Sequence, residues 1–316
     1  MDFFPRSHQQ HYRIHEPKPG YQLTVFERAP LSIQTPFEEA VRASRLIYET
    51  YQIPLTICLS GGLDSECLAQ AVLASGVPFN IVTLRLKPEF NAHDTVHAES
   101  FCRQYQLPIR FLDLDIIRFY ESGEFLEYAL KYRTNSPQFA AHLWLADHAE
   151  GVPVFGGSFP YLNYFDFEGN LLEESFLYTP EDKEYGVDRL FQKQNRPGVG
   201  HFFQYTPELY FSFLCKTVAG GSLAQRQKLK LGSYYQFKTE VFSQAGFNMQ
   251  LTPERQDKYT GFEKVKAYYA ERYGIGDVYE KLFRLPLQKM FPVKTSVRTL
   301  FPKEAGGKFY SVVGGN

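Results

Sequence analysis

The 316-residue sequence predicts an α/β protein, a doubly wound parallel sheet followed by a mainly helical C-terminal subdomain. Three observations carry that expectation. Short apolar runs rich in β-branched residues alternate with helical segments over residues 37–160. Two of those runs end in glycine pairs, Gly61-Gly62 and Gly156-Gly157. Beyond residue 200 the strand signals stop and helical spacing takes over. Sheets of this kind hold ligands at the carboxyl ends of their strands. The loops after Leu59, Leu86 and Phe155 are therefore the candidate site loops.

The elements follow in order. Residues 1–36 are polar, aromatic and proline-bearing, and predict an extended arm or short strands. Residues 36–52 place acids in a first turn and Phe37, Val41, Leu46 and Ile47 at helical spacing, which predicts a helix. Residues 53–60 (IPLTICLS) predict a buried parallel strand, 64–75 a helix stopped at Gly76, and 78–86 a second strand. A helix over 93–106, a third strand over 107–115 and two short helices near 116–131 come next. Residues 136–150 predict a helix with Ser136 as its N-cap, and 152–158 a fourth strand. Residues 161–200 predict an inserted hairpin or irregular loop. Helices are expected over 206–220, 225–244 and 260–274, within a subdomain at 201–316 whose Gly-rich tail is expected to be loosely held.

Composition narrows the function. Lys and Arg number 34 against 35 Asp and Glu, which excludes binding that rests on global positive charge. Aromatics make up 16% of the chain, enough for internal clusters or for a surface that stacks on a planar ligand. No apolar stretch reaches bilayer length, and the first residues carry no secretory pattern, so a cytoplasmic protein without a membrane partner is expected. Cys58, Cys67, Cys102 and Cys215 are widely spaced, which argues against a disulfide framework or a zinc cluster.

The strongest local signal is Ser60-Gly61-Gly62-Leu63-Asp64-Ser65, between a strand and a helix. Glycines there let backbone amides converge, and the helix N-terminus adds its positive end, so the loop suits an anion. Asp64 would repel a bare phosphate; its place is explained by a divalent cation between it and the phosphates. The Walker pattern is absent. The hexapeptide resembles the PP-loop, S-G-G-x-D-S, of the N-type ATP pyrophosphatases, a superfamily that includes asparagine synthetase, NAD synthetase, GMP synthetase and 7-cyano-7-deazaguanine synthase.

The resemblance implies an adenine nucleotide alpha hydrolase-like fold over residues 37–160, with ATP and Mg2+ as cofactors. It implies ATP cleavage between the α- and β-phosphates. A carboxyl or carbonyl oxygen of a small-molecule acceptor is adenylated, pyrophosphate leaves, and ammonia or an amine then displaces AMP to form a C–N bond. Ser60, Gly61, Gly62, Leu63, Asp64 and Ser65 would hold the phosphates, with Asp64 also the metal ligand. The main chain at Thr83, Leu84 and Arg85 would read the adenine edge, and Gly156 and Gly157 would border the same site. Ser158-Phe159-Pro160 stands where asparagine synthetases carry acidic residues, which departs from aspartate-specific chemistry. Arg255 and Lys258, with Lys264 behind them, are the cations expected to reach the phosphates or the adenylate.

Weaker signals keep two readings each. Asp94 reads as a helix N-cap, with a second metal ligand as the alternative. His93 and His97 read as a solvated pair rather than metal ligands. Asn135 and Gln138 begin a helix and read as capping residues, with ligand contact as the alternative. Lys228 and Lys230, near Tyr234 and Tyr235, read as a solvated basic face or an anion-binding strip. No Cys precedes Cys58, so a fused glutaminase is not expected and ammonia would arrive free, from a separate glutaminase, or as another amine. The leading function is an asparagine synthetase-like ATP-dependent C–N ligase. A nucleobase- or tRNA-modifying PP-loop enzyme is the alternative, with nucleic acid disfavoured as a partner by the balanced charge. A nucleotide-binding protein retired from catalysis is the third reading, disfavoured by the presence of Asp64.

Overall fold

A computed structural model describes residues 12–15, 21–26, 32–165, 171–178, 185–231, 233–249, 260–290 and 296–300. The chain opens with strands β1 (Tyr12–His15) and β2 (Tyr21–Phe26), an antiparallel pair. Helix α1 (Pro36–Tyr51) follows, then β3 (Leu55–Cys58), α2 (Leu63–Ser75), β4 (Phe79–Lys87), α3 (Ala92–Gln104) and β5 (Arg110–Asp115). Next come α4 (Ile116–Glu121), α5 (Glu124–Tyr132), α6 (Pro137–His148) and β6 (Val152–Val154). The inserted region holds the hairpin β7 (Tyr161–Phe165) and β8 (Leu171–Tyr178), then α7 (Gly186–Lys193). Helices α8 (Pro207–Lys216), α9 (Leu223–Lys228), α10 (Tyr234–Gln244), α11 (Gly261–Tyr273) and α12 (Leu285–Met290) complete the helical part. Strand β9 (Ser296–Leu300) returns to pair in parallel with β2, a strand the sequence pattern does not predict.

The central sheet is parallel, in the order β5-β4-β3-β6. Chain order reverses between β3 and β6, so their carboxyl ends diverge and leave a crevice there. Both faces of β3 are buried. Leu55, Ile57 and Leu59 join a core with α1 and α2, while Cys58 packs with Val82, Leu145 and Ala149 toward α6. That two-sided burial explains the uninterrupted apolar run of its sequence.

Local signals set the helix ends. Thr35 caps α1 in a reciprocal box with Glu38, its N–H donating to Oε2 at 3.0 Å and its hydroxyl accepting from the Glu38 N–H at 3.3 Å. Gly76 ends α2 in the left-handed region, at φ 73°. Ser136 occupies the N-cap position of α6 but makes no capping hydrogen bond, contrary to expectation.

The aromatics are spent largely inside. Phe159 stacks on Phe213 with centroids 5.2 Å apart and meets Phe242 edge-on at 5.0 Å. These rings share one core with Ile57, Leu68 and Val154, so α8 and α10 pack into the same apolar mass as the sheet. A second cluster gathers Phe119, Tyr120 and Phe125 around Tyr269, Tyr279 and Phe283 of the later helices. Burying one such ring contributes about 1.5–3 kcal/mol. No helix among the described residues is long and apolar enough to cross a membrane.

Candidate active site

A cavity of about 380 Å³ opens at the carboxyl ends of β3 and β6. Its polar lining includes Ser60, Gly62, Asp64, Ser65, Asp94, Ser158 and His201. Its apolar lining includes Leu84, Leu86, Phe139, Leu145, Phe155 and Phe262, and His142 and Gln138 also line it. The lining thus combines groups that suit charge with apolar side chains that suit a flat body.

The Ser60–Ser65 loop is closed on itself. The Ser60 N–H donates to Ser65 Oγ at 3.1 Å, the Gly62 N–H donates to Ser60 Oγ at 3.2 Å, and the Ser65 hydroxyl donates to the Gly62 carbonyl at 2.9 Å. Gly62 is the N-cap of α2 and offers no side chain, so the first amides of that helix have no intrahelical acceptor. Gly61 has φ 81°, and a Cβ there would lie 2.0 Å from the Asp94 carbonyl oxygen. Only glycine lets the loop press against α3 this closely. Leu63 turns instead into the core. Gly61 and Leu63 shape the loop from outside the cavity lining, whereas the other four residues of the motif line it.

Asp64 projects from the first turn of α2. Its Oδ2 forms an ion pair with Lys238 of α10. Its Oδ1 is buried and has no hydrogen-bond partner among the described residues. Lys238 arrives because its neighbour Phe237 anchors α10 in the core, and because the Phe37 N–H donates to the Ala245 carbonyl at 3.0 Å, tying the end of α10 to the start of α1. The sequence reading missed Lys238. It placed the cations at Arg255 and Lys258, which lie outside the described residues. Lys264 is on α11 and does not line the cavity, whereas Thr260, Gly261 and Phe262 at the start of that helix do.

The second strand behaves according to its alternation. Leu84 and Leu86 face the cavity; Thr83 and Arg85 point the other way. The Thr83 hydroxyl donates to the Leu59 carbonyl at 2.7 Å and so braces the base of the loop. Arg85 donates twice to Asp113, at 2.6 and 3.0 Å, and lies over the Phe111 ring. Of the main chain assigned by resemblance to adenine, the Leu84 carbonyl is already engaged. The Asn91 amide donates to the Leu84 carbonyl at 2.9 Å and accepts from the Leu86 N–H at 2.8 Å. Asn91, not Asp94, is the N-cap residue of α3, and Asp94 lies buried in the first turn, lining the cavity. His93 and His97 are half-buried and do not line it, and no group of three potential metal ligands occurs among the described residues. Gln138 lines the cavity and Asn135 does not.

Gly156 and Gly157 form the floor between two walls. A Cβ on Gly156 would lie 3.0 Å from the Asp64 carbonyl oxygen, and one on Gly157, at φ 64°, would lie 3.1 Å from the His201 ring. His201 is a second residue that the sequence reading missed. Val199 forms a parallel bridge with Val154, held by the Val199 N–H to the Pro153 carbonyl at 2.8 Å and the Phe155 N–H to the Val199 carbonyl at 2.9 Å. The segment thus extends the sheet beyond β6 and delivers His201 to its carboxyl edge. Asp188 of α7 meets it there, with Oδ2 2.8 Å from His201 Nδ1 and Oδ1 accepting the Gly200 N–H at 3.0 Å.

Two further groups have a defined state. Burial against Phe139 and Phe262 pushes His142 down to about 4, so it is a neutral imidazole at physiological pH. Burial pushes the Cys58 thiol, which lines the cavity, far above the usual range. Cys67 and Cys102 are buried, and Cys215 is exposed.

No family model matches the chain, and no curated protein matches it. Among solved structures the chain is similar to a predicted subunit of tRNA methyltransferase from Methanocaldococcus jannaschii. That match has 13% identity and a TM-score of 0.36, over 71% of this chain and 89% of that one. It is also similar to NMN synthetase from Francisella tularensis, at 15% identity and a TM-score of 0.31, over 76% of this chain and 95% of that one.

Proposed function

We propose that the chain is an ATP pyrophosphatase-type ligase. It adenylates a carboxyl or carbonyl oxygen, releases pyrophosphate, and forms a C–N bond as AMP leaves. The observation that carries this reading is the complete S-G-G-L-D-S loop at the switch point of a parallel sheet, with Asp64 facing a cavity beside a lysine from a distant helix. In this reading the α2 amides hold the leaving pyrophosphate. Lys238 exchanges its Asp64 partner for a phosphate oxygen. The apolar wall around Leu84, Phe139 and Phe262 takes the adenine, and Gln138 offers the amide that hydrogen-bonds its edge. Residues 37–160 form the nucleotide-binding unit, and the later helices supply the cation.

The residues present fit a magnesium ion. Asp64 Oδ1 is a buried carboxylate oxygen without a partner among the described residues, and Asp94 lines the same cavity. Such an ion, when bound, neutralises charge on the polyphosphate and on the departing pyrophosphate. Cys58, held protonated by burial, is unsuited to serve as a thiolate carrier of sulfur.

The test is product analysis. ATP, Mg2+, ammonium and fractionated metabolites are incubated with the full chain and with Asp64→Ala. AMP and pyrophosphate that disappear in the variant support the reading, and ADP with phosphate refutes it. A nucleic-acid acceptor is the second reading, favoured by one feature. Lys228 and Lys230 are exposed, and Tyr234, itself half-exposed, has its ring 5.1 Å from Lys238 Nζ, the lysine that pairs with Asp64 of the loop. Binding of bulk tRNA that weakens steeply with salt, and AMP release that depends on tRNA, select this second reading.

A further inference from the structure

The Asp188–His201 pair has no role in the nucleotide-binding scheme above, yet it is built into the cavity wall. Asp188 is almost fully buried, and both of its oxygens are engaged, by the Gly200 N–H and by His201 Nδ1. Gly200 is required for this approach, because a Cβ there would lie 2.6 Å from either carboxylate oxygen. A carboxylate only accepts, so Nδ1 carries the proton and Nε2 is left as the basic nitrogen. His201 retains 3% of its surface, and Nε2 has no hydrogen-bond partner among the described residues. Since His201 lines the cavity, that remnant of surface opens into it. The Tyr185 ring packs on the imidazole at 4.5 Å and fixes its plane.

His201 borders the same cavity as the Ser60–Ser65 loop. Gly156 rests on the Asp64 backbone and Gly157 on the His201 ring, and adjacent Cα atoms are 3.8 Å apart, so the Asp64 carbonyl oxygen and the His201 ring stand at most about 13 Å from each other. The other ionisable groups of the cavity serve elsewhere. Asp64 is paired with Lys238, Asp94 lies against the loop, His142 is a weak base enclosed by aromatic rings, and Cys58 is held protonated by burial.

We propose that His201, oriented by Asp188, accepts the proton released when the nitrogen nucleophile attacks the adenylate. The inference rests on the ligase reading. Ammonia or an amine forms a C–N bond with the adenylated carbon. The bond from that carbon to the AMP phosphate oxygen breaks, and its electron pair leaves with AMP. The attacking nitrogen, positively charged after bond formation, gives its proton to Nε2. Without an acceptor the tetrahedral adduct expels the amine and reverts.

The experiment separates the two half-reactions in the full chain. ATP–pyrophosphate exchange reports adenylate formation with the small-acid fraction of a cell extract, and incorporation of 15N-ammonium into product reports the second step. His201→Ala is expected to lower incorporation by about 100-fold or more while exchange falls by no more than about threefold, and added imidazole is expected to restore part of the loss. Asp188→Asn is expected to act in the same direction. Equal loss of both steps, without rescue by imidazole, overturns the proposal in favour of a structural pair. Incorporation that persists in His201→Ala overturns the proton assignment alone. A wild-type chain that shows no exchange refutes the adenylation reading, and the assignment falls with it. Independently of turnover, 15N shifts of labelled histidines should show His201 in the Nδ1–H form; an Nε2–H form overturns the proposal.

Discussion

Replacing Lys238 by Met should separate the two duties of the Lys238–Asp64 pair. In the nucleotide-free protein the substitution leaves both Asp64 oxygens without a protein partner, since Oδ1 has none among the described residues already. A buried carboxylate oxygen stripped of its partner costs about 1–3 kcal/mol. The lysine and aspartate side chains keep 14% and 24% of their surface, so water restores part of that loss, and a destabilisation of about 1–2 kcal/mol is expected. Asp64→Asn on the same background removes the stranded charge and should recover most of it. A coupling of about 1 kcal/mol is therefore expected in the cycle. Nucleotide binding should respond differently. Losing a charge-assisted bond to phosphate, worth about 1.5–3 kcal/mol, weakens Mg-ATP binding by about 10- to 100-fold, and the second substitution gives no recovery. Guanidinium titration and calorimetry with Mg-ATP measure the two effects. Wild-type affinity in Lys238→Met, or additive stabilities in the cycle, would refute the assignment of this lysine to both partners.

Other outcomes follow from geometry already described. Gly61→Ala must move a backbone carbonyl by more than an ångström and hold a left-handed φ, so a loss of at least about 2 kcal/mol and of ATP affinity is expected by denaturant titration and calorimetry. Phe213→Ala removes a ring shared by the sheet core and the later helices. It should cost about 3–5 kcal/mol and lower the midpoint of a single cooperative transition, whereas two separated transitions would contradict a common core. His142 binds its proton near 4 when folded and near 6.5 when unfolded, so the unfolded chain takes up more protons between those values. Stability is then complete above about pH 6.5 and falls as pH drops toward 4, by up to about 3 kcal/mol, and His142→Gln should flatten that part of the profile. Of four thiols, only Cys215 should react rapidly with a maleimide in the native state, with Cys58 and Cys102, the latter pushed up to about 11, reacting on unfolding.

The parallel sheet was legible because its strands are buried on both faces and leave apolar runs such as LTIC, bounded by glycine and helix signals. The loop was legible because its six residues are contiguous. What escaped was everything brought to the site by tertiary packing. Lys238 looks like any lysine of an amphipathic helix, and only the anchoring of Phe237 and Ala245 aims it at Asp64. His201 follows a Gly-Val-Gly stretch whose single apolar side chain is too little pattern to announce a strand, although Val199 extends the sheet. Strand alternation, by contrast, is available in the sequence and separates the Leu84 side chain from those of Thr83 and Arg85, whose expected role lies in the main chain. Asp94 misled because an acid near a helix start is usually a cap, whereas Asn91 holds the cap position and spends its amide on the strand end.

The bridge at Val199 also bears on how the molecule is made. Strand β6 ends at Val154, but the backbone that covers its outer side is 45 residues further along the chain. During synthesis β6 emerges with one row of amides and carbonyls uncovered, and the hairpin and α7 are made before the covering segment arrives. A chain cut after Gly157 would keep the whole Ser60–Ser65 loop and still present a bare sheet edge, a template for pairing with another copy. Such a fragment is expected to associate or aggregate, and one extended past Phe203 to have that edge covered while still lacking the α8 and α10 side of the core. The Ser60–Ser65 loop is therefore made well before the sheet edge beside it is covered.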